Sequence, residues 1–253
     1  MHLARRFEKA RRYLRWRLAS RGLPVWWHVG RPNFGDDINP SFFQAIAGLP
    51  TRMATTRRGP HLLGAGSILG KATAHSIVCG AGFLARPEAP LPRPRELVAV
   101  RGALSLAAVH GPDTTLLGDP LMLVDSLMQP VARRHRFGLV PHIASVDRWR
   151  ESNRGRHLVV DPAATPWSVV ETIAACEVVL SQSLHGLIVA DALCVPNVWI
   201  APSAEMVGGR FKFDDYFSTL DGPKECVPEG EDLFARPGTF AATVGRYRFS
   251  KRA

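Results

Sequence analysis

Cysteine is scarce and scattered. Cys79, Cys176, Cys194 and Cys226 stand far apart with no C-x-x-C pair, which excludes a zinc ribbon and a disulfide framework. None of the nine histidines falls in an H-x-H or H-E-x-x-H spacing, so no metal site is indicated. Apolar runs of about 18 residues, the length a membrane-spanning helix needs, are missing, and the basic start lacks the apolar stretch of a signal peptide. The expectation is a protein of the reducing cytoplasm that does not cross a bilayer. Acidic residues are short where the chain begins: residues 1–21 hold eight Arg and Lys against Glu8 alone, a net +7 out of +10 for all 253 residues. The remainder is close to neutral at +3, which argues against a dedicated nucleic-acid binder. With 46% hydrophobic and 21% charged residues, disorder, collagen-like repeats and coiled coil are excluded.

The basic tip has its own pattern. Leu3, Phe7, Ala10, Leu14 and Leu18 follow helical spacing, with arginines over the rest and Tyr13 and Trp16 at the boundary of the two faces. Such a helix packs on its own domain with a solvated basic face, lies on an anionic membrane surface, or meets RNA or a partner protein. From Leu23 onward short apolar runs end in Gly, Asp, Asn or Pro and lead into helical patterns, the texture of βα units. Strands are expected at 25–29, 60–63, 76–79, 96–100 and 115–117, then at 137–140, 157–160, 178–180 and 197–200. Helices are expected at 102–110, 166–176 and 184–193. The polar stretch 129–136 reads as a linker. The predicted architecture is α/β, with a basic amphipathic helix (1–21) and two Rossmann-like halves (22–128 and 129–253) facing a cleft.

Ligands of open α/β sheets collect at the carboxyl ends of strands, beside helix N-termini. Five such places carry chemistry-bearing residues. After the first strand come Asn33, Gly35 and Asp36; Asp36 either caps the next helix or accepts hydrogen bonds from sugar hydroxyls. Gly64-Ala65-Gly66-Ser67, echoed by Cys79-Gly80-Ala81-Gly82, is either plain turn chemistry or a close approach to ligand. Arg101 ends a strand, suited to a carboxylate or phosphate or to an ion pair. Asp119 ends another, followed by Pro120. The densest is Ser181-Gln182-Ser183-Leu184-His185-Gly186, where a helix N-terminus suits a phosphate and His185 a proton transfer, unless the histidine is a buried structural one. Beyond the last strand, 210–217 interleaves Arg210, Lys212, Asp214 and Asp215 with aromatics, fit for a sugar or an anion or for a solvated edge with Phe211 and Phe213 facing the core.

Taken in order, Asn33-x-Gly35-Asp36, Gly64-Ala65-Gly66-Ser67-Ile68-Leu69, Val100-Arg101-Gly102, Gly118-Asp119-Pro120, Val140-Pro141-His142 and Ser183-Leu184-His185-Gly186-Leu187-Ile188 resemble the polysaccharide pyruvyl transferase family. The resemblance runs from about Val25 to Phe217 and is strongest to the short xanthan-type ketal pyruvate transferases. It implies a fold like that of GT-B glycosyltransferases, phosphoenolpyruvate as donor, a sugar hydroxyl pair as acceptor, often lipid-linked, and no metal or other cofactor. One position departs from the family: many members carry Arg where this chain has Ser183, so another cation must hold the donor's anionic groups, with Arg101, Arg210, Lys212 and His142 the candidates.

Ketal formation from an enol phosphate needs a proton donor, anion clamps and a base. The expectation is His185 as general acid, Arg101 with Lys212 or Arg210 as clamps beside Ser183 and His142, and Asp36 or Asp119 toward the acceptor. Asn33, Gly35, Gly66 and Ser67 complete the acceptor side, in the N-terminal half, while the donor belongs to the C-terminal half. Two other classes stay open: a glycosyltransferase consuming a nucleotide sugar, and a non-catalytic module carried by its basic tip to membrane or RNA.

Overall fold

The computed structural model describes residues 2–204 and 206–249, the side chains of residues 2–6, 8, 9 and 12 excepted. The chain opens with helix α1 (His2–Leu18), followed by β1 (Leu23–Trp26), α2 (Phe34–Asp37), α3 (Asn39–Ala47), β2 (Thr51–Met53), β3 (His61–Leu63), β4 (Ser76–Ala81), β5 (Glu96–Val100), α4 (Ala103–Ala108) and β6 (Leu116–Leu117). These six strands form one parallel sheet in the order β2-β1-β3-β4-β5-β6. A 3-10 segment, Pro120–Leu127, leads to the second series: β7 (His135–Val140), α5 (Val146–Asn153), β8 (Leu158–Val159), α6 (Pro166–Ala174), β9 (Cys176–Ser181), α7 (Leu184–Ala192), β10 (Asn197–Ile200), α8 (Phe211–Phe217), β11 (Cys226–Val227) and α9 (Glu231–Ala235). Its sheet is also parallel, in the order β11-β10-β9-β7-β8.

The two orders are the same topology. In each sheet the first strand lies between the second and the third, so the direction of winding reverses between β1 and β3 and again between β7 and β9. A reversal of this kind opens a crevice at the carboxyl ends of the two strands, because the helices leaving them go to opposite faces. The mixed α/β expectation therefore stands as two parallel sheets of Rossmann-like winding.

Burial explains why these segments read as continuous apolar runs. All four residues of β10 are buried, as both faces of a parallel sheet are covered. Helix α7 is buried at every position, and it is apolar nearly all round because it is held between its own sheet and the 3-10 segment of the first half. The core is continuous across the halves: Val25, Phe34, Ile38 and Phe42 share one cluster with Val170, Ile173, Leu184 and Ile188. Hydrogen bonds cross the same seam, from Phe34 N–H to the Pro162 carbonyl (2.8 Å) and from Trp167 Nε1 to Ser41 Oγ (3.0 Å). The halves thus meet over a packed seam.

Helix α1 rests on the first half through the side chains at the edge of its pattern. Tyr13 and Trp16 pack against the core, and Trp16 meets Trp27 edge-on with ring centroids 5.7 Å apart. Phe7, Leu14 and Leu18 of the apolar stripe point outward, 70, 50 and 77% exposed. Leu3 lies outside the described side chains. Among the described residues no helix is long and apolar enough to cross a membrane.

Candidate functional site

The loop after β1 is organised by Asn33. Its Oδ1 accepts the Gly35 N–H at 3.3 Å and caps α2, while Asp37 Oδ2 accepts the Asn33 N–H at 3.1 Å. Asp36 is therefore not the cap. Its carboxylate accepts from Asn33 Nδ2 at 3.1 Å and faces the loop after β3, where a methyl group on Gly66 would lie 3.2 Å from Oδ1. Gly66 has φ +121°, a conformation side chains disfavour, so glycine serves both the turn and the approach of the carboxylate.

Across the seam, Ser183 caps α7, its Oγ accepting the Gly186 N–H at 3.4 Å. That places His185 in the first turn, 9% exposed, against the backbone of Gly35 and edge-on to Phe34 (centroids 6.1 Å apart). A side chain at Gly35 would collide with His185 Nδ1, so the glycine is what admits the ring. Nε2 is buried without a hydrogen-bond partner among the described residues. Burial, and then the charges of Lys212 and Arg101, push the imidazole pKa down to about 3, which leaves the ring neutral.

Lys212, in the first turn of α8, supplies one of those charges. Its ammonium has no hydrogen-bond partner among the described residues and lies 5.3 Å from the Phe213 ring centroid. Burial and repulsion from Arg101 lower its pKa to about 8 against the attraction of Asp36. His142, just past β7, is held near 4 by burial and by Lys212, and its Nδ1 accepts the Ala144 N–H at 3.3 Å. The relation of α7 to α8 is locked by Asp191 of α7, which accepts from Tyr216 Oη (3.0 Å), Lys224 Nζ (2.9 Å) and Asn197 Nδ2 (2.7 Å), all in the interior.

The structure thus gathers Asn33, Gly35, Asp36 and Gly66 from the first half with His185, Lys212 and His142 from the second, at the reversal points of both sheets. Two expected clamps are placed differently. Arg101 is 0% exposed, and its guanidinium donates to Asp215 Oδ2 (3.0 Å), Ser67 Oγ (3.0 Å) and the Phe83 carbonyl. It ties α8 to the first half and reaches the site as a charge rather than as an open hand. Arg210 is mostly exposed, paired with Asp214 at 3.3 Å and stacked over Trp199. Asp215, noted in the sequence only as part of the charged 210–217 stretch, decides how Arg101 is used, and this pairing has no local signal because the two are 114 residues apart. Gln182, part of the 181–186 stretch but given no role from sequence, bridges the β7 loop and the residues after β10 through the His142 N–H and the Ala201 carbonyl.

Asp119 caps the 3-10 segment, its Oδ1 accepting the Leu121 N–H at 3.0 Å, and it is fully buried, with the Gly66 N–H also drawn to its carboxylate. Burial raises its pKa to about 6, opposed by the Leu121 N–H and by Arg101. A carboxyl raised in the folded state binds its proton more tightly there than in the unfolded chain, so stability falls as pH rises from about 4 to about 6 and stays reduced above. We expect Asp119→Asn to raise the unfolding free energy at pH 7.5 by on the order of 2–3 kcal/mol and by clearly less at pH 4.5. Urea titrations at the two pH values check this; an equal shift at both would mean the carboxyl is not strained.

With the geometry in hand, likeness to known proteins is informative. A family profile described as polysaccharide pyruvyl transferase matches residues 77–203, half of the chain, from β4 to just beyond β10. That span is narrower than the one over which motifs resemble the family, and it includes Arg101, Asp119, His142, Ser183 and His185. The "Succinoglycan biosynthesis protein ExoV" of Rhizobium meliloti (strain 1021) is 29% identical over 209 residues, 78% of this chain and 64% of that protein. The "Uncharacterized protein L143" of Acanthamoeba polyphaga mimivirus is 25% identical over 212 residues, 78% of this chain and 74% of its own. This chain therefore spans less than two thirds of the first of these relatives. No solved structure matches it. The chain belongs to the polysaccharide pyruvyl transferase family.

Proposed function

We propose that this protein transfers the pyruvyl unit of phosphoenolpyruvate onto two hydroxyls of one sugar in a glycan precursor, as a cyclic ketal, releasing phosphate. The observation that carries the reading is the meeting of an imidazole nitrogen and an ammonium, neither with a hydrogen-bond partner among the described residues, with a carboxylate at the reversal crevices of two sheets. Family membership and a relative named for succinoglycan biosynthesis agree with it. In a GT-B-like arrangement the second half holds the donor and the loops of Asn33–Asp36 and Gly64–Ser67 receive the sugar.

The steps balance without a co-reactant. His185, protonated, gives its proton to the methylene carbon of the donor, and positive charge develops at the adjacent carbon, where Asp36 offers compensation. One sugar hydroxyl adds there, and its proton returns to the imidazole. The C–O bond to phosphate then breaks, the second hydroxyl adds, and its proton leaves with the phosphate. Of the two hydroxyl protons, one ends on the new methyl group and one on phosphate. Side-chain acids, bases and charges suffice, so the reading requires no metal or cofactor.

Ser183 being a cap, the donor's anionic groups fall to Lys212, with His142 and the Arg101 charge behind it. Lys212→Ala is expected to weaken phosphoenolpyruvate binding roughly ten- to a hundredfold, the loss of one charged hydrogen bond. Since the Lys212 pKa is about 8, its charge is present below that pH and lost above it, so wild-type donor affinity declines at alkaline pH. Lys212→Arg, which stays charged, is expected to remove that decline. Calorimetric titration from pH 6.5 to 9.5 reads both, and donor affinity indifferent to either substitution would move the clamp elsewhere.

The overall reading is tested by phosphate release from phosphoenolpyruvate with a lipid extract of the producing cell as acceptor source. Consumption of a nucleotide sugar instead, with phosphoenolpyruvate ignored, would establish a glycosyltransferase. A lipid-linked acceptor would place the enzyme on the inner face of the cell membrane, and the outward Phe7, Leu14 and Leu18 beside exposed Arg11, Arg15, Arg17 and Arg21 suit that surface.

A further inference from the structure

A cavity of about 960 Å³ lies along the outer side of α4, walled by residues 86–97 between β4 and β5, by the turn after α4, by Leu69 and by Phe211. None of these residues belongs to the crevice just described, yet each wall departs from it. Leu69 stands two positions past Ser67, residue 86 three past Phe83, Leu104 three past Arg101, and Phe211 immediately before Lys212. Four segments that carry or adjoin the crevice and the Arg101 network thus also line this cavity.

The lining is mixed in a particular way. Four prolines between residues 87 and 94 stiffen one wall, while Leu104 and Phe211 add apolar surface to the lining. Between them stand Arg93, Arg95 and Glu88, all exposed and without a hydrogen bond or ion pair among the described residues. Charges of both signs do not suit a polyanion, and the interrupted apolar floor does not suit a lipid tail. A chain of pyranose rings suits it well, since each ring has an apolar C–H face and an edge of hydroxyls that both carboxylates and guanidinium groups bind. A wall fixed by proline also loses little entropy on binding.

We infer that this groove holds the acceptor glycan beyond the sugar that receives the ketal, so that chain length and not the terminal sugar alone sets acceptor affinity. The inference rests on the proposed pyruvyl transfer. Its test uses the full-length protein and oligosaccharides of graded length from succinoglycan freed of pyruvate by mild acid, with their component monosaccharides as the short limit. Affinity is read by ligand-observed NMR, and donor turnover by phosphate release. Wild type is expected to bind the longer oligosaccharides at least about tenfold more tightly than a monosaccharide, a difference of ~1.4 kcal/mol. Leu104→Trp, which fills the groove from a partly exposed position, and the double variant Arg93→Ala, Arg95→Ala are expected to lose that gain while phosphate release with a monosaccharide acceptor is kept. Affinity independent of length, or a gain kept in both variants, overturns the groove. Absence of donor turnover with every acceptor, beside intact length-dependent binding, would overturn the reaction and leave the groove standing.

Discussion

His185→Ala is expected to lower turnover by roughly 10²–10⁴-fold, the usual contribution of a positioned proton donor, while the protein remains folded. The ring is held by packing against Gly35 and Phe34 and makes no hydrogen bond through Nε2, so its removal leaves no buried partner stranded. The cost to stability is then that of a small cavity. Retention of more than about a third of wild-type turnover would end the assignment.

The same residue predicts a proton balance. With a pKa near 3 the imidazole is neutral at pH 7, which is the wrong state for an acid. Burial is the largest cause that holds it there, and the positive charges of Lys212 and Arg101 add to it. A multiply charged anion lying between them would cancel both and add attraction of its own, so the pKa rises on binding and the ring takes up a proton. The imidazole therefore contributes proton uptake, opposed by any proton that the phosphate of the donor gives up beside the same cations. Calorimetry of phosphoenolpyruvate binding in buffers of different ionisation enthalpy should therefore show a more positive proton balance in wild type than in His185→Ala, the difference being the share of the imidazole. An equal balance in the two proteins would mean that the acid is another group, and Asp119, held near 6, is the first to examine. On this account the enzyme becomes acidic only when its donor is present, which keeps an imidazolium from being stranded beside two cations in the resting site.

The two-sheet architecture is legible in the chain because β5 and β10 are apolar runs with clear stops, and the segments expected at 96–100 and 197–200 are those strands. Strands β2 and β11 are not legible: runs of three and two residues carry no period of their own, and they form only because a neighbouring strand presents an open edge. Helix α8 is obscured for a different reason. Its inner face, Phe213, Tyr216 and Phe217, has helical spacing, but Asp215 is buried among them, and that burial makes sense only against Arg101 and Ser105 from the other half. The site divides along the same line. The position of His185 at a strand end is readable from Ser181–Gly186, whereas its proton state depends on Lys212 and Arg101, which local sequence cannot place beside it. Likewise Asp36 could not be separated from a cap until Asn33 was seen to hold that role.

Loss of vesicle binding is the other large effect expected, on replacing Phe7, Leu14 and Leu18 together by Ser. Deleting residues 1–21 outright would also strip Trp27 of the Trp16 ring that covers it, so a truncated protein that fails to fold would say nothing about membranes. The triple substitution avoids this because the three side chains face away from the domain that Tyr13 and Trp16 contact. An apolar stripe of that exposure, set in a segment of net +7, has an anionic lipid surface as its natural complement: each basic residue near such a surface contributes about 1 kcal/mol, and salt weakens the attraction over roughly 8–10 Å. Wild type should sediment with vesicles containing phosphatidylglycerol at low salt, less at high salt, and not with neutral phosphatidylcholine. The triple variant should stay in solution with both, and its turnover on a soluble acceptor should match wild type, because no residue of the crevice touches the stripe. Unchanged sedimentation of the variant would remove the stripe from the account. Loss of turnover on the soluble acceptor together with loss of binding would show instead that α1 acts on the fold of the first half, through β1 and the loop that carries Asn33 and Asp36.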